Sequence, residues 1–352
     1  MADTIQLGRR KVGPGQPVYI IAELSANHNQ NFEHAQRIVR AAKEAGVDAV
    51  KLQTYTPDTV TIQSDQERFR IRGGTLWDGR TLYDLYGEVY TPWEWQPKLM
   101  ALASELGLDL FSSAFDPTAV DFLEKMNVPV HKIALPELVD LPLIQKMART
   151  GKPLILSTGM ATLDEIEDAI KAARDGGARE IALLRCTSSY PAPPEEMNLK
   201  SIPDLAQRFR VPIGLSDHTP GIATAIAAVA LGASIIEKHI TWSRADGGPD
   251  AAFSLEPQEF KALVESIRSA EQSLGKVQYG PTSHEMRTKP FRRSLFVLDD
   301  VKKGEPFTSA NVRSIRPANG LHPRHLPDVL GRRAAHDIEK GTPFDWEMVD
   351  RA

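Results

Sequence analysis

Cysteine is almost missing from this chain: Cys186 stands alone among 352 residues. No internal disulfide can form, and a reducing compartment is expected. Positive charge is not in surplus either, with 42 Lys and Arg against 46 Asp and Glu and a formal net charge of −4. That balance removes the basic stripe on which nucleic-acid binding depends. No apolar run approaches the ~20 residues of a membrane span, and residues 1–11 lack the apolar stretch of a signal peptide. The expectation is a cytoplasmic protein that handles small molecules, with neither nucleic acid nor membrane as a partner.

What is present is an ordinary globular composition, 41% hydrophobic and 25% charged, on a chain longer than a typical single domain. From about residue 18 to residue 274 short β-rich runs alternate with longer amphipathic ones. The strand candidates are 18–23, 49–53, 109–113, 130–134, 154–157, 181–187, 211–216 and 234–239. Among the helices that follow them are 32–45, 93–106, 119–126, 163–174, 221–231 and 257–274. Near-continuous apolar strands suit a parallel sheet covered by helices. Eight such units over roughly 250 residues predict a (β/α)8 TIM barrel. An open doubly wound sheet competes, but no Gly-rich dinucleotide fingerprint follows the first strand.

The strand ends are informative. In order they present Glu23, Lys51 with Gln53, Ser112 with Ser113, Lys132, Ser157 with Thr158, Thr187 with Ser188, Ser216 with His218, and Glu237 with His239. A lone lysine at a strand end is ordinarily a solvated charge. Polar side chains at all the strand ends of a barrel instead predict a catalytic face. Gly214-Leu-Ser-Asp-His218-Thr and Ile235-Ile-Glu-Lys-His239-Ile tip adjacent parallel strands with histidine, which predicts a divalent metal site open to water and substrate. The alternative is a pair of histidines that merely hydrogen-bond within the barrel. Lys51 and Lys132, with Ser113, Ser157 and Ser216, predict a cradle for a phosphate or carboxylate; a Schiff-base lysine is the rival role. Glu23 is read as a base or as the ion-pair partner of a lysine. Residues 54–92 are long for a connection between strand and helix, and predict a lid or recognition element. Periodicity breaks before residue 290. We expect a barrel domain at 1–280, a linker at 281–290, and a small β-rich domain at 291–352 with short strands at 294–297, 311–317 and 337–343.

Several motifs are familiar. Ile21-Ala-Glu-Leu-Ser-Ala-Asn-His28-Asn, Val50-Lys-Leu-Gln-Thr54, Leu215-Ser-Asp-His-Thr219 and Ile236-Glu-Lys-His239 resemble the sialic acid synthase family. Phe291-Arg-Arg-Ser-Leu and Asn311-Val-Arg-Ser-Ile-Arg-Pro317 are similar to its antifreeze-protein-like (SAF) domain. Gly74-Thr-Leu-Trp-Asp-Gly79, Leu82-Tyr-Asp-Leu-Tyr86 and Thr91-Pro-Trp-Glu-Trp95 most resemble the branch whose sugar is 2,4-diacetamido-2,4,6-trideoxy-L-altrose. Branches that make legionaminic or N-acetylneuraminic acid are the alternatives.

The resemblance implies condensation of phosphoenolpyruvate with an N-acetylated amino sugar, with release of phosphate. It implies a manganese-type divalent ion on His218 and His239, with Mg2+ and Co2+ as alternatives. Lys51, Ser113, Lys132, Ser157, Ser188 and Ser216 fall at phosphoenolpyruvate positions, and Glu23 beside the reacting centre. Gln53, Tyr190, Asp250 and Phe291 fall at sugar positions, and Arg316 at an arginine donated by a partner, which implies a homodimer with exchanged SAF domains. Leu135 and Ser188 depart from the pattern, standing where many relatives carry serine and asparagine.

Overall fold

The computed structural model describes residues 3–74 and 77–350. Thr75 and Leu76, inside the Gly74–Gly79 motif, lie outside the described residues. The chain divides into two compact units, Met1–Gly275 and Lys276–Ala352.

Unit one opens with a hairpin that the sequence reading did not anticipate, β1 (Ile5–Leu7) and β2 (Arg10–Val12). Its polar groups engage Glu180, Asp109 and Asp48, residues at or just before the starts of barrel strands, while Ile5, Leu7 and Val12 join the main core. The hairpin thus caps the N-terminal end of the barrel. Three-residue strands with one buried face leave too short a pattern for alternation to be read.

The barrel strands are β3 (Tyr19–Glu23), β4 (Ala49–Thr54), β5 (Asp109–Ala114), β6 (His131–Ile133), β7 (Leu154–Ser157), β8 (Ile181–Cys186), β9 (Ile213–Asp217) and β10 (Ile235–His239). All pair in parallel and β10 closes on β3, so the predicted eight-stranded barrel is what forms. Helices follow in sequence: α1 (Phe32–Ala45), α2 (Pro57–Val60), α3 (Leu82–Val89), α4 (Gln96–Glu105), α5 (Pro117–Lys125), α6 (Leu141–Ala148), α7 (Leu163–Asp175), α8 (Ser201–Phe209), α9 (Ala223–Ala230) and α10 (Pro257–Leu274). Local chemistry sets their ends. Asn31 accepts from the His34 amide to cap α1, Gly46 closes it at φ 88°, and Thr162 with Glu165 forms a reciprocal capping box on α7. The predicted helix at 93–106 is shorter because Trp93–Trp95 forms a 3-10 turn ahead of Pro97. Segment 54–92 carries α2, α3 and a 3-10 turn at Glu67–Phe69.

Unit two has its own core, including Leu295, Val297, Phe307, Val312, Ile338 and Phe344. β11 (Ser294–Val297) pairs antiparallel with β12 (Val312–Ile315), and α11 (Leu326–Val329) follows. The expected strand at 337–343 does not form. It makes isolated bridges at Ile338 and Pro343, because Gly341 turns the chain at φ 86° and proline cannot donate to a ladder. The expected linker is also structured, with 3-10 turns at Glu285–Arg287 and Lys289–Phe291, and the boundary between units falls at Gly275 rather than 280. Scattered Gly and Pro read as a linker, whereas short turns carry no periodicity.

Gly214 allows β9 and β10 to approach. A Cβ there would sit 2.4 Å from the Ile235 carbonyl oxygen and 2.6 Å from Leu184 Cδ2. Gly214→Ala is expected to cost about 1–3 kcal/mol of overpacking strain, measured by urea unfolding; an unchanged midpoint would refute that account of the glycine.

Candidate active site

Strand periodicity aims alternate side chains at the cavity. Lys51 and Gln53 share one face of β4, while Glu237 and His239 share one face of β10. Ser216 ends the inward row of β9, with His218 two residues beyond it. The residues between them, Asp217 and Lys238, point away and meet behind the strands. Lys238 Nζ lies 2.7 Å from Asp217 Oδ2 and donates to the Thr219 carbonyl at 2.6 Å. Asp217 Oδ1 accepts from the Thr219 amide and hydroxyl. Both charged side chains are wholly buried, so the two histidine-bearing strand ends are braced from outside. Removing one partner of such a pair typically costs about 3–5 kcal/mol.

The inward residues line a cavity of about 610 Å³. Every barrel residue expected at the site reaches it: Glu23, Lys51, Gln53, Ser113, Lys132, Ser157, Ser188, Tyr190, Ser216, His218, His239 and Asp250. Phe291 and Arg316 belong to unit two, where they share a separate groove with Lys289, Arg292 and Arg293.

Buried charge organises the floor. Lys51 Nζ lies 2.5 Å from Glu23 Oε2 and 3.6 Å from Glu237 Oε1, and donates to Ser113 Oγ at 3.2 Å. Lys132 Nζ donates to Ser157 Oγ at 2.6 Å and stands 3.8 Å from Glu237 Oε2. Ser216 Oγ donates to Glu237 Oε1 at 3.2 Å. Burial opposes the charge on Lys51, but Glu23 and Glu237 outweigh it and hold the ammonium above its ordinary value. A protonated Lys51 is a poor amine nucleophile, which speaks against the Schiff-base role at this position. For Lys132 burial wins, and its pKa is lowered despite Glu237. Glu237 falls below the usual carboxylate value, because Lys132 and Lys51 overcome its burial. It is a site residue to which the sequence pattern assigned no role, although its place two residues before His239 on one strand face is a usable signal.

The histidines meet the chemical requirement for a metal. Their ring centroids are 5.3 Å apart. His218 Nδ1 lies 3.1 Å from the Thr187 carbonyl oxygen, so that nitrogen donates and Nε2 keeps its lone pair. Burial lowers His218 to about 4. Burial, with the nearby His218 and Lys51 charges, takes His239 well below the ordinary value. Neutral imidazole is the ligating form. His239 Nδ1 is buried without a hydrogen-bond partner, 4.0 Å from Asp250 Oδ2. Among the described residues no group of three or more His, Cys, Asp or Glu side chains is disposed to hold a metal. The neutral pair would supply two protein ligands to an ion, leaving its other positions to water and substrate.

Around the histidines, the Tyr190 ring lies 4.4 Å from His218, and Phe253 lies 4.9 Å from His239. Gln53 donates to Glu23 Oε1 and to Ser25 Oγ, and Ser25 Oγ donates to Asp250. These contacts join the expected sugar positions to the acid at the end of β3. Leu135 also faces the cavity and supplies no hydrogen bond there.

A closed parallel barrel with a buried cation cradle and two neutral histidines at the C-terminal ends of its strands is an enzyme active site of the TIM-barrel type. The family model described as NeuB family matches residues 38–279, and the SAF domain model matches residues 292–350; the chain belongs to the NeuB family and carries a SAF domain. It is 45% identical to pseudaminic acid synthase of Helicobacter pylori, over 96% of this chain and 99% of that protein. Its identity to N,N'-diacetyllegionaminic acid synthase of Legionella pneumophila is 35%, over 97% of this chain and 98% of that one. The crystal structure of N-acetylneuraminic acid synthetase from Leptospira borgpetersenii superposes with a TM-score of 0.72 at 32% identity, covering 82% of this chain and 95% of that chain.

Burial is the largest influence on Glu23 and raises it from 4.5 to about 7, with Lys51 opposing the rise. A folded-state value above the unfolded one means that the native state holds an extra proton between those pH values. The stability this confers is complete below pH 4.5 and is lost as pH rises through about 7. Wild-type protein should therefore lose unfolding free energy relative to Glu23→Gln between pH 5 and pH 8 in urea titrations. A difference between the two proteins that does not vary with pH would contradict the shift.

Proposed function

We propose that this protein condenses phosphoenolpyruvate with 2,4-diacetamido-2,4,6-trideoxy-L-altrose, giving pseudaminic acid and inorganic phosphate. The observation that carries the reading is the coexistence, in one cavity, of two buried lysines with hydroxyl partners and a pair of neutral histidines. Resemblance over nearly the whole chain to a pseudaminic acid synthase supports the choice of sugar.

Lys51 and Lys132, with Ser113, Ser157 and Ser216, bind the carboxylate and phosphate of phosphoenolpyruvate by charge-assisted hydrogen bonds. Their positions hold C3 of the enol toward the sugar aldehyde, and C3 forms the new carbon–carbon bond. Water adds at C2 and the C–O bond to phosphate breaks. Glu23, buried beside Lys51, is placed to take a proton from that water. Tyr190, Gln53 and Asp250 bound the sugar. His218 and His239 would hold a divalent ion, manganese by resemblance, which as a Lewis acid polarises the aldehyde oxygen. Phe291 and Arg316 complete the sugar site from the partner's second unit in a homodimer. The reading places the enzyme in the cytoplasm, the compartment that supplies phosphoenolpyruvate; no described helix is long and apolar enough to cross a membrane.

Phosphate release measured with one sugar at a time tests this. Turnover is expected with the trideoxy-altrose, and release only with N-acetylmannosamine would overturn the choice of sugar. His218→Ala and His239→Ala should each abolish both turnover and the Mn2+ binding seen by calorimetry. Unaltered Mn2+ binding would remove the histidines from the metal site. Sedimentation velocity should find a dimer at assay concentration, and a fully active monomer would refute the contribution across subunits.

A further inference from the structure

Helix α3 spends its apolar face on the cavity rather than on a hydrophobic core. Leu82, Leu85, Tyr86 and Val89 follow the i, i+3, i+4, i+7 spacing of one helix face, and all four line the cavity. Leu85 is buried, but none of the four joins the contiguous core cluster of either unit. The opposite face, Asp84, Gly87 and Glu88, is exposed. The helix is also held in place. Thr81 accepts from the Asp84 amide to cap it, and Gln30, from the loop after β3, donates to the carbonyls of Glu88 and Tyr90. Tyr86 packs edge-on against Tyr55, and Tyr55 against Phe115.

A tethered helix whose apolar stripe faces a cavity with a charged floor needs an apolar partner, and the bound substrate is what enters that cavity. We propose that this face of α3 is the specificity surface for the deoxygenated end of the sugar, packing against its C6 methyl group and rejecting a 6-hydroxyl. The inference rests on the reading above and deepens it. The proposed reaction puts C1 of the open-chain sugar at the histidines, which leaves the rest of the carbon chain to the other walls of the cavity, α3 among them. A methyl-sized pocket discriminates by about 10–200-fold, and a polar group introduced into it removes that preference.

The test compares kcat/KM for the 6-deoxy sugar and for its 6-hydroxy counterpart, both carrying the same acetamido groups, in wild-type enzyme, Leu85→Ser and the near-isosteric Val89→Thr. The expected result is a fall of roughly tenfold in the ratio favouring the deoxy sugar, within the range typical of methyl discrimination, with KM for phosphoenolpyruvate unchanged. Val89→Thr carries the test if Leu85→Ser does not fold. Equal losses for both sugars, or an unchanged ratio, would overturn the inference while leaving the reaction assignment standing. Wild-type enzyme that turns over neither sugar would overturn both.

Discussion

Two lysines and two glutamates, all four buried, share the floor of the barrel, and the rest of the site is arranged around that cluster. Each buried charge alone would carry a desolvation penalty of several kcal/mol. Together, Lys51 sits between Glu23 and Glu237, and Lys132 faces Glu237, so the charges screen one another. Glu237 is thereby the internal counterion of both lysines. Ser113 and Ser157 hold the two lysine donors and Ser216 donates to Glu237, so the cluster is oriented in advance of any reaction.

The same burial that raises Glu23 lowers His218 and His239. One physical cause thus yields a carboxyl that titrates near neutrality and two imidazoles kept neutral. The barrel supplies this burial and the outer shell sustains it: the Lys238–Asp217 pair fixes the strand ends from behind, and Tyr190 and Phe253 wall the histidines from the front. Leu135 brings no hydrogen-bonding group to the cavity, and the two lysines retain its charge.

Legibility differed sharply between elements. The parallel strands were plain because runs such as Tyr19–Glu23 are apolar throughout and turn polar at their ends. The helices α1 and α10 emerged at their full lengths because caps and amphipathic period agree. The N-terminal hairpin was invisible, having three residues per strand. The segment 337–343 misled because Ile338 and Phe344 are buried in the small core without a ladder between them. Phe253, from a loop, had no pattern to announce it.

By itself the sequence determined which chemical groups stand at the strand ends, since strand period and turn residues are local properties. It therefore determined the barrel, the paired histidines and the lysine cradle. Tertiary structure alone decided who pairs with whom: that Glu237 lies between both lysines, that Lys238 braces Asp217, and that α3 turns its apolar face into the cavity. Those outcomes depend on barrel closure and on strand register, such as His239 beside Glu23 and Glu237 beside Ser216. Distances between strands far apart in sequence are set by packing, which no local pattern encodes.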